Sequence, residues 1–463
     1  MATDRQTTGT FRGRVAAFGV VALAIAITVV AFALPGPRQR VYPHREPVRF
    51  WHMWTGQWKD VVDRIVDRFN QSQDRFEVVA LSVPGRHANA KFLLAVAGGD
   101  PPDVMVQWRP VIPAWAHAGL LTPLDELMGA QRWEAFQREA YPIALKIGSY
   151  DSHLYGLGTG INIIACYYRT AQLAEAGLDP ADWPETLEQL SQWGEMLNRY
   201  GDSGELTRMG FRPDFQNQRL SMYAPAFGPG LFDWTQGRLT LNTPSNLRAL
   251  EYLVDRVNKL GYYNVLRFQA GLAAGTGAGI GADWAFMTGA YSIVVDGQWR
   301  VEQIAKYAPE LQYGTAPLPP PAGGRPLAGF SYGNFMIIPV GARHVDGAFE
   351  FAKFWSGLEE PERAAEFYTW GGWLPLSPAI ANAPIYRKYL ADHPQFQTFV
   401  DIMPSENIHP LPPVPYQVFL ADRITRAEDR ALRGTMTPAE ALAELERELA
   451  RELARQRELG NDW

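Results

Sequence analysis

From Val48 onward, short apolar runs alternate with segments whose apolar residues recur every three to four positions, as expected of strands joined by crossover helices in a parallel sheet. Val48 to Met53 reads as a strand. After Thr55-Gly56, the residues Val61, Ile65 and Phe69 fall at helical spacing, and Val62 and Val66 widen the same stripe. Phe76 to Val83 is a second strand, ended by Pro84-Gly85. Ala88 to Ala97 is a helix stopped by Gly98-Gly99, and Val104 to Trp108 is a third strand. In an open sheet of this kind a ligand sits beyond the carboxyl ends of the strands, here Trp54 to Gln57 and Trp108 to Pro110.

Farther along, Gly156 to Tyr168 is apolar and rich in β-branched residues. Glu185 to Tyr200 reads as a helix with Leu187, Leu190, Trp193, Met196 and Leu197 facing inward, so a second α/β unit begins there. Pro317 to Pro321 is stiff and extended, followed by Gly323-Gly324, which suits a crossover between lobes. Near the end, Thr437-Pro438-Ala439-Glu440 forms a capping box with proline at the first helical position, and Leu442, Leu445, Leu449 and Leu453 then line one side of a helix that packs on a lobe.

Length changes this picture by requiring more than one domain: 463 residues with 47% hydrophobic and 20% charged content bury large cores and do not describe a disordered chain. A net charge of -6 lacks the positive field that a phosphate backbone needs, so nucleic acid is not an expected partner. Before the fold, Arg5, Arg12 and Arg14 precede an uncharged run, Val15 to Leu34, long enough to span a bilayer. Ala31-Phe32-Ala33 offers a cleavage site, and the length suits a retained membrane anchor. Both readings export everything after about Pro47. The single cysteine, Cys166, lies in a strand-like run and reads as a core thiol.

The candidate chemistry is mostly declined by its own context. Gly329-Phe330-Ser331-Tyr332-Gly333 satisfies the G-x-S-x-G pattern of a hydrolase nucleophile elbow, with Asp346 and His393 following in order. That motif needs a strand, a sharp turn and a helix, whereas Asn334 to Pro339 continues as a strand, so no catalytic residue is assigned. Gly275, Gly277, Gly279 and Gly281 lack the spacing of a phosphate cradle. No histidine pair has metal spacing, and neither a metal nor another cofactor is expected. The tyrosine pairs Tyr167-Tyr168 and Tyr262-Tyr263 read as core. The 15 tryptophans are unusual in that Trp54, Trp108, Trp284, Trp299, Trp370 and Trp373 fall at strand ends and loops, where flat side chains beside polar groups suit a sugar.

Several stretches resemble the extracellular solute-binding proteins of ABC importers, family 1, of the maltose and glycerol-3-phosphate types. These are Phe50-Trp51-His52-Met53-Trp54-Thr55-Gly56, the segment Leu94 to Val104 ending Gly-Asp-Pro-Pro-Asp-Val, and Ala118-Gly119-Leu120-Leu121. Farther on come Tyr155-Gly156-Leu157, Cys166-Tyr167-Tyr168-Arg169, the block Phe286 to Ala290 with Asp296-Gly297-Gln298-Trp299, and the tail Gly434 to Leu442. The resemblance covers about residues 47 to 455. It implies a periplasmic-binding-protein-like α/β fold: two lobes joined by a hinge, ligand in the cleft between them, and a preceding N-terminal apolar helix. It divides the chain into 1–46, lobe one at 47–160 plus 316–358, and lobe two at 161–315 plus 359–463. It places Trp54, Gln57, Trp108, Asp214, Trp299, Tyr332 and Trp373 at the ligand, with Trp299 projecting from a strand end. The implied ligand is a carbohydrate or polyol, and the implied partners are the transmembrane subunits of an ABC permease, with the membrane reached through the N-terminal helix. A sensor reporting to a signalling partner is the alternative role, and an exported serine hydrolase using Ser331 a more distant one. The cysteine that carries a lipid in many such receptors is missing after the apolar run.

Overall fold

One long strand organises the molecule. The computed structural model describes residues 40–83, 85, 88–108, 111–214, 219–275 and 284–460; the apolar run Val15–Leu34, Pro84, Pro110 and the glycines at 277, 279 and 281 lie outside them. In chain order the elements that matter here begin with β1 (Glu46–His52), α1 (Gly56–Ser72), β2 (Phe76–Ser82), α2 (Ala88–Ala97), β3 (Val104–Gln107) and β4 (Leu157–Arg169). Next come α3 (Leu187–Leu197), β5 (Leu206–Arg212), α4 (Pro244–Leu260), α5 (Tyr262–Gly275), β6 (Tyr291–Gly297), α6 (Trp299–Tyr307) and β7 (Tyr313–Ala316). The chain closes with β8 (Gly329–Ile337), α7 (Val345–Ser356), α8 (Pro361–Gly371), β9 (Ile408–His409), α9 (Gln417–Leu432) and α10 (Pro438–Glu458).

The strand order runs β2-β1-β3-β8-β4-β6-β5, with β7 also on β4 and β9 on β8. β1 pairs in parallel with β2 and β3, the arrangement that a strand-helix alternation dictates. β4 is shared by two halves of the sheet. Leu157 to Ile163 pair antiparallel with β8, and Ile164 to Arg169 pair with β6 and β7, so the strand exchanges partners at Ile163-Ile164. Its alternating side chains feed two cores: Ile161, Ile163, Ala165 and Tyr167 join one cluster, and Ile164 and Cys166 the other. Burial of Cys166 holds its thiol well above the ordinary range, as a core role requires.

The stripe read for α1 is the buried one, with Val62, Ile65, Val66 and Phe69 inward and Val61 half-buried. α2 spans the expected residues. The cap of α10 forms in full: Glu440 N donates to Thr437 Oγ1 at 3.2 Å and Thr437 N to Glu440 Oε2 at 2.8 Å, while Leu442, Leu445 and Leu449 are buried. This helix packs on α9 and α4. Two expectations are corrected. Met196 is exposed, because α3 lies so close on β5 that a Cβ on Gly210 would meet the Gly194 carbonyl oxygen at 2.0 Å, and this contact turns Ser191 and Gly194 inward instead. Tyr263 is exposed rather than core, at the start of α5.

β8 is continuous from Gly329 to Ile337, so the G-x-S-x-G residues lie within a strand and form no elbow. Ser331 is fully buried and its Oγ donates to the Asn162 carbonyl at 2.8 Å. Asp346 pairs with Arg75, and His393 Nδ1 meets the Tyr389 carbonyl oxygen at 3.0 Å.

Candidate functional site

The place where β4 exchanges partners is also where its buried face turns polar. Going along one face of β4 from the register shift beside Asn334-Phe335, Gly160 lies under Trp373, then comes Asn162, then Ile164 and Cys166 of the second core. β8 repeats the sequence from the other direction: Phe330 belongs to the second core, then Tyr332 and Asn334, then Met336 in the first. Tyr332 lies opposite Asn162, and Asn334 opposite Gly160. Two amides and a phenol thus form a polar patch between two apolar cores, a floor at the join between the sheet halves.

The floor is pinned by hydrogen bonds on every side. Gln298, in the turn after β6, accepts from Ile163 N at 3.2 Å and donates to Asn162 Oδ1 at 2.9 Å and to the Ile161 carbonyl at 3.3 Å. Thr159 Oγ1 donates to the Asn334 carbonyl at 3.1 Å, and Tyr167 OH to the Gly297 carbonyl at 2.8 Å. Buried groups satisfied in this way hold one geometry, because any shift leaves a donor or acceptor unpaired. Burial and the nearby Asp296 push the Tyr332 hydroxyl above its ordinary range, so it stays neutral and both donates and accepts. Asp296 itself is neutralised by Arg300 at 2.9 Å, whose guanidinium also lies 4.3 Å from the Trp284 ring centre.

Aromatic side chains stand on both sides of the floor. Trp299 opens α6 directly after the turn, half-buried, its ring packed over Gly297, where a Cβ would come within 2.0 Å of the indole. It meets Tyr332 edge-on with ring centres 6.2 Å apart. On the other side Trp373 covers Gly160 and packs, tilted, into a three-ring group, 5.4 Å from Trp54 and 5.6 Å from Trp355. Trp54 and Trp373 are only 9% and 4% exposed, so they form the backing of a wall and offer a ligand little more than an edge.

Of the seven residues read as ligand contacts, four gather here: Trp54, Trp299, Tyr332 and Trp373. Trp108, half-buried at the end of β3, lies beside Gly85, where a Cβ would sit 3.4 Å from its Nε1. Gln57, exposed at the start of α1, accepts from Lys306 Nζ on α6 at 2.5 Å, joining the first strand end to the helix that carries Trp299. Asp214 is elsewhere: it bonds Arg212 at 3.3 Å beyond the end of β5 and lines a separate cavity. Sequence reading missed Asn162, Asn334, Gln298 and Lys306. The signal available for the first two was a lone amide interrupting an apolar strand run.

The chain is similar over most of its length to receptors of known ligand. It is 23% identical over 341 residues to the maltotriose-binding protein of Pyrococcus abyssi, covering 73% of this chain and 68% of that one. It is 22% identical over 383 residues to the sn-glycerol-3-phosphate-binding periplasmic protein of Salmonella paratyphi A, covering 80% and 82%. Among solved structures, CpMnBP1 with mannotriose bound superposes with a TM-score of 0.73 at 25% identity, covering 87% of this chain and 99% of that one. The sugar-binding protein MalE of Xanthomonas citri superposes with a TM-score of 0.72 at 21% identity, covering 90% and 100%. The family model described as bacterial extracellular solute-binding protein matches residues 64–398, more than half of the 463, and the chain belongs to that family.

Proposed function

We propose that this chain captures an oligosaccharide or a sugar-like solute outside the cytoplasm and delivers it, chemically unchanged, to the permease of an ABC importer. The observation that carries this reading is the polar floor of Asn162, Tyr332 and Asn334 between aromatic walls. Neutral amide and phenol groups match hydroxyls, and indole faces match the apolar face of a sugar ring, whereas no formal charge on the floor asks for an ionic ligand. The names of two similar proteins, one maltotriose-binding and one with mannotriose bound, support the same class. Trp54, Trp299, Tyr332, Trp373, Trp108 and Gln57 are proposed as contacts.

Two lobes, 47–160 with 316–358 and 161–315 with the remaining tail, close on the ligand about Ile163-Ile164. The packing of α8 on α1 and α7 supports moving residues 361–371 to the first lobe. The apolar run Val15 to Leu34 is proposed as the tether, and the mass of the mature N-terminus reports directly whether it is retained.

A melting-temperature screen against mono-, di- and oligosaccharides and glycerol phosphates tests the ligand class, since a ligand at 100 times its Kd stabilises by about 2.7 kcal/mol. No shift with any sugar would refute it. Steady product formation from a bound sugar, abolished by Ser331→Ala, would overturn the proposal that nothing is turned over.

A further inference from the structure

Helix α6 carries Trp299 at its first position, follows β6 in the second half of the sheet, and also reaches across to the first half. Its inner side is apolar, with Val301 and Ile304 each 1% exposed. Glu302 and Lys306 stand three and seven positions beyond Trp299, a spacing that puts them on the same face of the helix as the indole. One face of α6 therefore presents a ring, a carboxylate and an ammonium in a row.

Both charged members of the row meet segments of the first half. Glu302, half-buried, accepts through Oε1 from Tyr389 OH, and His393 Nε2 lies 3.9 Å from the same oxygen. Tyr389 is itself buried, on the helix Pro384–Asp392, which packs on α8 and whose Tyr386 OH donates to the Trp373 carbonyl at 2.9 Å. Gly372 has a φ of +60°, and a Cβ there would fall 2.5 Å from Glu302 Cγ, so the backbone that leads into Trp373 rests directly on this side chain. One turn later Lys306 Nζ donates to Gln57 Oε1 at 2.5 Å, at the start of α1 and three residues beyond Trp54. A glutamate in a helix's first turn is favourable facing water alone. Bonded to a buried phenol it is a fixed contact, because removing it leaves that hydroxyl unpaired.

We propose that Glu302 and Lys306 are positioning residues of the solute site: without touching the solute, they fasten the Trp299 face of α6 to the half of the molecule that carries Trp54 and Trp373. This rests on the solute-binding function proposed above. Contacts made across the cleft stabilise the closed arrangement alone, so their loss weakens every solute by the same factor, through the fraction of chain that is closed. The test compares the full chain with the variant Glu302→Ala, Lys306→Met and with the conservative variant Glu302→Gln, Lys306→Arg, which keeps an acceptor for Tyr389 and a donor for Gln57. Without ligand, amide hydrogen exchange at residues 371–374 quickens in the first variant and stays at the parent rate in the second. Maltotriose and mannotriose are the probes. Each that the parent binds is weakened about three- to tenfold in the first variant, by the same factor and through faster dissociation, and regains its affinity in the second. Unchanged exchange, unchanged affinity, or a loss confined to one of the two sugars would each overturn the proposal, the last by making these residues direct contacts. A parent chain that binds neither sugar would overturn the solute class instead, and the exchange result then decides alone whether α6 is fastened in this way.

Discussion

Two aromatic groups flank the floor, built from the same residue types and differing in what covers them. Trp54, Trp355 and Trp373 pack with ring centres 5.4 to 5.7 Å apart, Trp54 stacked on Trp355 and Trp373 tilted against both, and are nearly closed to solvent. Trp299 and Tyr332 meet edge-on at 6.2 Å and stay half-open. A tryptophan that has already buried its area against protein has little left for a ligand, and losing it leaves a hole. One that keeps a face open has most of that area still to bury, and its loss is felt on binding. The three-ring group is therefore mainly a support, and on the proposed function the pair beside α6 offers a ligand the larger open area.

The largest expected effect breaks the support. Trp373→Ala should lower stability by about 3–5 kcal/mol, read from chemical denaturation, because the indole fills the space over Gly160 and Gly371. A variant of unchanged stability that has lost ligand would reverse the assignment of the two groups. Trp299→Ala should instead weaken the sugar by about 1–3 kcal/mol, roughly ten- to a hundredfold, in calorimetry, with a smaller change in melting temperature. Intact affinity beside a much lower melting temperature would place Trp299 in the support. Gly297→Ala offers a subtler probe, since its Cβ would fall 2.0–2.5 Å from the Trp299 indole and displace it. Overpacking of this kind costs about 1–3 kcal/mol in a closed core, and less here because the ring is half-open, so affinity should fall more than stability.

The smallest effect depends on pH. His52 lies between Phe50 and Trp54 in the supported wall, fully buried, with neither ring nitrogen hydrogen-bonded among the described residues. Desolvation lowers its pKa from 6.5 to about 4, with Asp63 opposing and Lys59 adding to the shift. Between those values the unfolded chain binds the extra proton. The stability tied to this group is therefore whole above pH 6.5 and is lost as pH falls toward 4, at no more than about 1.4 kcal/mol per pH unit. Melting curves across that range should show a shallower decline for His52→Leu than for the parent. Equal slopes would show that His52 carries none of the acid sensitivity, whereas the half-open pair should show no such dependence in either chain.

Much of the fold was legible because period and punctuation are local. The stripe of α1 and the capping box of α10 each need only a few neighbouring residues, and both stand where the sequence puts them. Met196 was misread because the face of α3 is chosen by a contact between Gly194 and Gly210, which are 16 positions apart and bear no side chains to advertise it. The site was half legible. Aromatic residues at expected strand ends and loops pointed to Trp54, Trp299 and Trp373 as candidates, but nothing in the sequence distinguishes a tryptophan covered by Trp355 from one left open. Asp214 illustrates the opposite failure: its order in the chain fitted the cleft, and its pairing with Arg212 draws it into another cavity.

By itself the sequence determined the alternation of strands and helices, the strand character of β8 and hence the absence of an elbow at Ser331, since these follow from propensity and pattern over a few residues. Only the tertiary structure decided that β4 serves both halves of the sheet, that Asn162 and Asn334 meet Tyr332 on one face, and which tryptophans remain open. Each of those depends on register between strands far apart in the chain, and a shift of one residue would have turned the same amides to the opposite face.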